Sequence, residues 1–347
     1  MNPYAMSIML SSLAIGTITT LSSSHWFLAW MGLEINTLAI MPMMTKTNHP
    51  RATESATKYF LTQATASAII LFSTITNMWM TGEWTIIGMS DNMSMTLLTI
   101  ALAMKLGIAP FHMWIPDVLQ GLNLTTCLIL STWQKLAPMA LLILTNNHLN
   151  TNLLIMMALA STIIGGFGGL NQTQMRKIMA YSSIAHLGWM TLILSFSPDL
   201  AILNLCIYLI LTTSAFMMMY FLKSTNINKL SISWFKSPTL ASSMMITLMA
   251  LGGLPPTLGF LPKWLILQET TKQHMEMVSF IIAMSALLSL FFYLRISYTI
   301  SMTTSPNMAN SNLNWRMKKT TNITMAVCTT LSTLMLPMSP MLLTILK

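Results

Sequence analysis

Residues 102–116 read LAMKLGIAPFHMWIP, and residues 251–264 read LGGLPPTLGFLPKW. Each places glycine and proline inside an apolar run, together with a cation and a tryptophan. Proline within a helix removes a backbone donor and clashes with the preceding turn. In hydrocarbon no water satisfies the freed groups, so such a break persists only against protein or an aqueous cavity. Gly107 and Pro110 in the first stretch, and Pro255, Pro256 and Gly259 in the second, therefore predict two discontinuous helices.

That reading needs a membrane, and the composition supplies one. Of 347 residues, 54% are apolar and 7% charged, against roughly 25% charged in a soluble domain. The mean hydropathy of +0.65 agrees. These values exclude an ordinary soluble enzyme, a disordered tail and a disulfide scaffold. A crossing helix needs about 20 residues, and the apolar runs divide into eleven: Tyr4–Leu21, Trp26–Met44, Thr57–Trp79, Met93–Trp114, Thr125–Leu144, Asn152–Phe167, Ile178–Ser195, Leu200–Phe221, Leu240–Leu267, Val278–Ile300 and Ile323–Ile345. The expected fold is an all-α polytopic membrane protein. The alternating segments of a β-barrel do not occur.

The two breaks fall in the fourth and ninth runs, five apart. Five is odd, so a five-helix repeat has its second copy inverted across the membrane. The chain then reads as one transmembrane domain: a first repeat over 1–145, an inverted second over 150–300, and a loop with a last helix over 301–347. Paired broken helices in inverted halves are the sequence pointer to a transporter ion site.

Charge supports this arrangement. One set of alternate loops holds Lys46, Arg51, Lys58, Arg176, Lys177, Lys223, Lys229, Lys236, Arg295, Arg316, Lys318 and Lys319, twelve of the seventeen basic residues. The same loops carry only Glu54 and Asp117 as acids. The opposite set holds Glu83, Asp91, Asp199, Glu269 and Glu276, with Lys272 and Lys347. The positive-inside rule then puts the N-terminus on the inner side and the C-terminus on the outer. The net charge of +9, which in a soluble chain would suggest nucleic acid, is a topology signal. The first run starts almost at Met1 without a basic n-region, so no removable signal or transit peptide is expected. Cys127, Cys206 and Cys328 lie in apolar runs without metal-binding spacing, and no nucleotide-binding fingerprint is completed by GGFGG at 165–169.

Removing loop charges leaves Glu34, Lys105, Lys135 and Lys263, with His112 and His186. Glu34, Lys105, Lys135 and His186 fall near the middles of the second, fourth, fifth and seventh runs. A charge at that depth costs about 2.5–3.5 kcal/mol on insertion scales, so these groups pair, line water or do work. An ammonium in a low-dielectric site loses the stability of its charged form, and a nearby carboxylate restores it. A lysine with a movable carboxylate partner is thus a switchable proton site. Sodium would need several oxygen ligands and would be repelled by three ammonium groups; an anion path lined by lysine is the rival. Lys105 and His112, seven residues apart, share a helical face if the break does not rotate it.

HWFLAWMGLEINTLAIMPMM (25–44), RATESATKYFLTQATAS (51–67), AMKLGIAPFHMWIPDV (103–118), TWQKLAP (132–138), GGLNQTQMRKIMAYSSIAHLGWM (168–190) and GGLPPTLGFLPKW (252–264) resemble the antiporter-like membrane subunits of respiratory complex I, the mitochondrial NADH–ubiquinone oxidoreductase, in their mammalian form. The likeness covers essentially the whole chain. It implies a proton-translocating core subunit in the mitochondrial inner membrane, N-terminus in the matrix and C-terminus in the intermembrane space. Glu34 and Lys105 would form a carboxylate–lysine pair, Lys135 the central relay, and Lys263 the outlet, with His112 and His186 bridging through water. NADH, flavin, iron–sulfur centres and ubiquinone would bind elsewhere in the complex, none on this chain. Its partners would be other membrane-arm subunits, including neighbouring antiporter-like chains, and the bilayer with cardiolipin, and no nucleic acid. The 36 methionines fit a mitochondrial code that reads an isoleucine codon as methionine. The rival readings are a stand-alone cation/proton antiporter and a scaffold subunit with no proton path.

Overall fold

The computed structural model describes residues 3–46, 49–302, 323–334, 336–338, 340–341 and 344. Their order is helical throughout, and the described residues include no strand beyond two isolated bridges, His25 with Thr85 and Gln174 with Asn226. Seven described helices are long and apolar enough to cross a membrane: α1 (Pro3–Ser22), α2 (Trp26–Met44), α3 (Pro50–Thr81), α6 (Leu124–Leu144), α7 (Thr151–Gly169), α9 (Pro198–Leu222) and α13 (Glu276–Met302). Shorter apolar helices are α4 (Asn92–Leu106), α11 (Pro238–Gly252) and α14 (Ile323–Leu334). The remaining helices are α5 (Trp114–Gly121), α8 (Met175–Leu194), α10 (Ile227–Lys236) and α12 (Phe260–Lys272). The chain divides into two compact units, residues 1–161 with 194–198, and residues 162–193 with 199–347.

In the first unit α2 packs between α1 and α3, α3 holds α4 and α5, and α6 touches α1, α2 and α4. Helices α1 and α2 approach closely at Gly16 and Gly32. A Cβ on Gly32 would lie 2.5 Å from Thr19 Oγ1 and 2.8 Å from the Gly16 carbonyl, and one on Gly16 would lie 2.4 Å from Asn36 Oδ1. Only hydrogen at both positions lets the two backbones meet. In the second unit α13 packs on α10, α11 and α12, and α14 packs on α11.

Local signals set the helix ends. The His49 ring accepts the Arg51 amide at 3.1 Å, and Pro50 starts α3 with its preset φ. Helix α3 therefore begins seven residues before the predicted Thr57, because hydropathy registers only the apolar part of a helix. Glu54 is consequently helical, and Lys58 one turn on bonds it at 2.9 Å and Asp117 at 3.0 Å. Helix α10 was not anticipated; its apolar residues at a helical period are too few for a span. Arg316, Lys318 and Lys319, and residues 335, 339, 342, 343 and 345 of the last predicted run, lie outside the described residues.

Both predicted breaks are present. Helix α4 stops at Leu106, and the chain resumes helix only at Trp114; α11 stops at Gly252 and α12 starts at Phe260. The intervening turn corrects the helical spacing of Lys105 and His112: Lys105 lies in the last turn of α4 and His112 in the break itself, not two turns apart on one helix.

Candidate functional site

Gly107 ends α4 at φ +76°, and its amide and that of Ile108 both close on the Ala103 carbonyl at 2.8 and 3.0 Å. This left-handed residue turns the chain, and a side chain on it would run into Ile115 Cδ1, 2.0 Å away. The Trp114 indole donates to the Met104 carbonyl at 3.1 Å and so stitches the two sides of the break. Its ring meets Tyr59 of α3 edge-on, with centroids 5.7 Å apart. Lys105 thus stands in the last turn of a half-helix, where unsatisfied carbonyls present roughly half an elementary negative charge.

The sequence-derived residues of the first unit gather on packed helices. Glu34 lies on α2, Lys105 on α4 and Lys135 on α6, and α6 touches both of the others. Lys105 and Lys135 are each only 6% exposed. Glu34 and Lys105 make no direct ion pair, yet the carboxylate acts electrostatically on both Lys105 and Tyr59. Thr37 holds the carboxylate by donating to Oε2 at 3.1 Å. The Lys105 ammonium is buried without a hydrogen-bond partner. His112 is buried in the turn itself, with Nδ1 3.2 Å from the Pro110 carbonyl. Gln134, beside Lys135, donates to the Asn36 carbonyl at 3.3 Å and ties α6 to α2.

The second unit repeats the chemistry with a different construction. Gly253 ends α11 at φ +81°, and a Cβ there would lie 2.8 Å from Lys263 Cδ. The bare glycine leaves a channel along which Lys263, from α12, reaches back to donate to the Gly252 carbonyl at 2.8 Å. Gly259 permits the chain to return against α11, since a Cβ would fall 1.8 Å from the Ala250 carbonyl. Pro255 and Pro256 lie in the turn between. Lys263 Nζ is 6.0 Å from the Trp189 ring centroid, at the outer limit of a cation–π contact. His186 is buried one turn away on α8, its ring 5.4 Å from that of Tyr208.

Sequence reasoning missed several of these neighbours. Ser182 and Trp189 stand at helical spacing from the anticipated His186 on α8, and Ser285, Ser289, Tyr293 and Ser297 repeat every four residues on α13, all four buried. A polar stripe at that period inside an apolar helix was the available signal. Arg295 also differs from a surface-seeking arginine. It donates to the Leu170 carbonyl and, at 2.6 Å, to the Gln172 carbonyl, fastening α13 to the loop after α7.

The fold and these positions define a helical membrane protein with two broken helices, each with a buried lysine beside the break: Lys105 in the last turn of its first half, and Lys263 reaching from the second half to the end of the first. A family model described as NADH:quinone oxidoreductase/Mrp antiporter, TM, matches residues 23–289, and one for the NADH dehydrogenase subunit 2 C-terminus matches residues 290–343. The chain belongs to the NADH:quinone oxidoreductase/Mrp antiporter transmembrane family. It is 56% identical to NADH-ubiquinone oxidoreductase chain 2 of Xenopus laevis over 99% of this chain and 100% of that one. It is likewise 56% identical to the chain of that name from Salmo salar, over 100% of this chain and 99% of that one. Among solved structures, a chain of respiratory complex I from Thermus thermophilus superposes with a TM-score of 0.84 at 24% identity, over 96% of this chain and 78% of that one. A chain of the Mrp complex from Dietzia sp. superposes with a TM-score of 0.74 at 17% identity, over 87% and 61%.

Proposed function

We propose that this chain is a proton-translocating core subunit of the membrane arm of respiratory complex I, acting in the oxidation of NADH by ubiquinone. Full-length relatives of that name and the antiporter-type family model support it. The observation that carries the chemistry is the pair of half-helices, α4 and α11, each ending beside a buried ammonium, Lys105 or Lys263. Carbonyl ends of half-helices are cation-favouring sites in transporters.

In this reading the chain crosses the mitochondrial inner membrane eleven times. The crossings are α1, α2, α3, α4 with α5, α6, α7, α8, α9, α11 with α12, α13 and α14. Residues 1–145 and 150–300 form two inverted five-helix repeats within one transmembrane domain, followed by the loop and last helix of 301–347. The N-terminus faces the matrix and the C-terminus the intermembrane space. Glu34 modulates the proton affinity of Lys105; Lys135 relays; Lys263 hands the proton outward; His112 and His186 carry it through water. Redox cofactors and ubiquinone bind other subunits. Neighbouring antiporter-like chains and bilayer lipids, cardiolipin among them, surround this one.

The test is substitution of Lys105→Met and, separately, Lys135→Met in the intact complex. Proton uptake per electron is read in vesicles during NADH oxidation. Each substitution should lower the ratio; an unchanged ratio in both overturns the assignment. The isolated chain in liposomes should show no cation/proton exchange, and exchange there would favour a stand-alone antiporter.

A further inference from the structure

Tyr293 of α13 is buried to 1% exposure, and its hydroxyl lies beside the Ser182 hydroxyl without a hydrogen bond of good geometry. Leaving such a group unsatisfied is costly, so its surroundings decide what it serves. It opens on a small cavity bounded by Ser182, His186 and Trp189 of α8, Lys263 of α12, and Ser289 of α13. The empty space there is about 190 Å3 including its mouth, with room for the centre of about one water.

The other polar groups leave capacity on that cavity. Ser182 and Ser289 donate to their own helix, to the Met179 and Ala286 carbonyls at 2.8 Å each, so their oxygens remain acceptors. Lys263 commits one of its three N–H donors to Gly252. The tyrosine ring is fixed by Phe292, 4.4 Å between centroids, and lies against Gly252, whose added Cβ would be 3.5 Å from Tyr293 Cδ2. A rigid ring whose hydroxyl lacks a well-formed hydrogen bond and borders a polar space of water size is suited to hold a water there.

We propose that Tyr293 is a positioning residue of the second half-site, holding an ordered water that joins the Lys263 ammonium to the His186 imidazole. The Tyr293 O–H donates to the water oxygen and orients it. When protonated His186 releases a proton, the water oxygen takes it and passes one of its own protons to the neutral Lys263 amine. Histidine ends neutral, lysine ends as the ammonium ready to hand its proton outward, and the water is regenerated. The inference rests on the proton-translocating reading and adds to it one residue and one water.

Two measurements on the intact complex test it. In a map of the wild-type complex fine enough to show waters, an ordered water should stand about 2.8 Å from the Tyr293 hydroxyl; its absence there overturns the proposal, independently of any variant. Tyr293→Phe keeps the ring packing and removes only the hydroxyl. It should slow NADH-driven proton uptake roughly 2- to 10-fold, the worth of one hydrogen bond, and change the solvent deuterium isotope effect, with assembly and heat stability unaltered. Lys263→Met is the parallel arm. If Lys263→Met impairs uptake while Tyr293→Phe matches wild type in rate and isotope effect, the Tyr293 role falls and the proton reading stands. If both match wild type, the proton reading falls and takes the Tyr293 role with it.

Discussion

Adjacent glycines at the second break make opposite predictions. Gly253 sits at φ +81°, where its Cβ would lie 2.8 Å from Lys263 Cδ and 2.9 Å from Nζ. Gly253→Ala therefore incurs the left-handed penalty of about 1–2 kcal/mol. It also displaces Lys263 from the Gly252 carbonyl, and a hydrogen bond to a charged group is worth about 1.5–3 kcal/mol. Together these give about 2.5–5 kcal/mol of local destabilisation, roughly 60-fold to several thousand-fold in the opening of the break. Gly252→Ala is the control. Its Cβ meets nothing closer than Tyr293 Cδ2 at 3.5 Å, ordinary contact, and it ends a helix with no positive φ. Alanine there favours the helix by about 0.5–1 kcal/mol. Amide hydrogen exchange on the solubilised complex reads both. The amides of Gly253 and Leu254 close on the Met249 carbonyl at 3.1 and 3.4 Å, and their protection follows the local opening equilibrium. Exchange across 249–254 should accelerate by at least an order of magnitude in Gly253→Ala and stay the same or slow in Gly252→Ala. Wild-type exchange in Gly253→Ala, or equal acceleration in both, refutes the reasoning.

Two other positions are informative. Gly32→Ala should lower the yield and heat stability of assembled complex on native gels, since its Cβ would fall 2.5 Å from Thr19 Oγ1 and 2.8 Å from the Gly16 carbonyl, forcing α1 off α2. Arg295→Lys should speed exchange over residues 170–176, because one ammonium cannot replace a planar fork that reaches two carbonyls, Leu170 and Gln172; unchanged protection there would deny the clamp.

What the sequence made legible follows from which forces it writes down directly. Gly107, Pro110, Pro255, Pro256 and Gly259 forbid continuous helix by local sterics, and both breaks occur where those residues stand. The burial of Lys105, Lys135, Lys263, His112 and His186 follows from apolar surroundings in sequence. Less legible was anything set by charge outside the apolar stretch. The start of α3 at Pro50 depends on a capping ring and a proline that hydropathy ignores, and α10 depends on amphipathic period rather than mean apolarity. The ring of polar groups around Lys263 was hidden because serine and tyrosine hardly perturb hydropathy. The partners of Lys263 are tertiary: Trp189 lies 74 positions earlier in the chain, and no local pattern connects them.

The lysines of the two breaks also would not be matched by aligning the segments residue for residue. Lys105 precedes the left-handed Gly107 by two positions, whereas Lys263 follows the left-handed Gly253 by ten. They correspond in electrostatic place instead. Each ammonium lies by the C-terminal end of the helix that enters its break, where aligned peptide dipoles leave roughly half a negative charge. Lys105 belongs to that helix and has a carboxylate, Glu34, within electrostatic reach. Lys263 comes from the helix beyond and meets a carbonyl, an aromatic face and hydroxyls, with no carboxylate among the groups lining its cavity. The compensation of charge is therefore different in kind at the two places. At the first it depends on a second titratable group, so any change at Glu34 is felt by Lys105. At the second the hydrogen bond comes from a fixed dipole, the Gly252 carbonyl, and the titratable neighbour on the cavity is an imidazole, His186, rather than a carboxylate. If both lysines carry protons as proposed, the first is tuned by its partner's charge and the second by whether its own side chain stays in contact with the helix end.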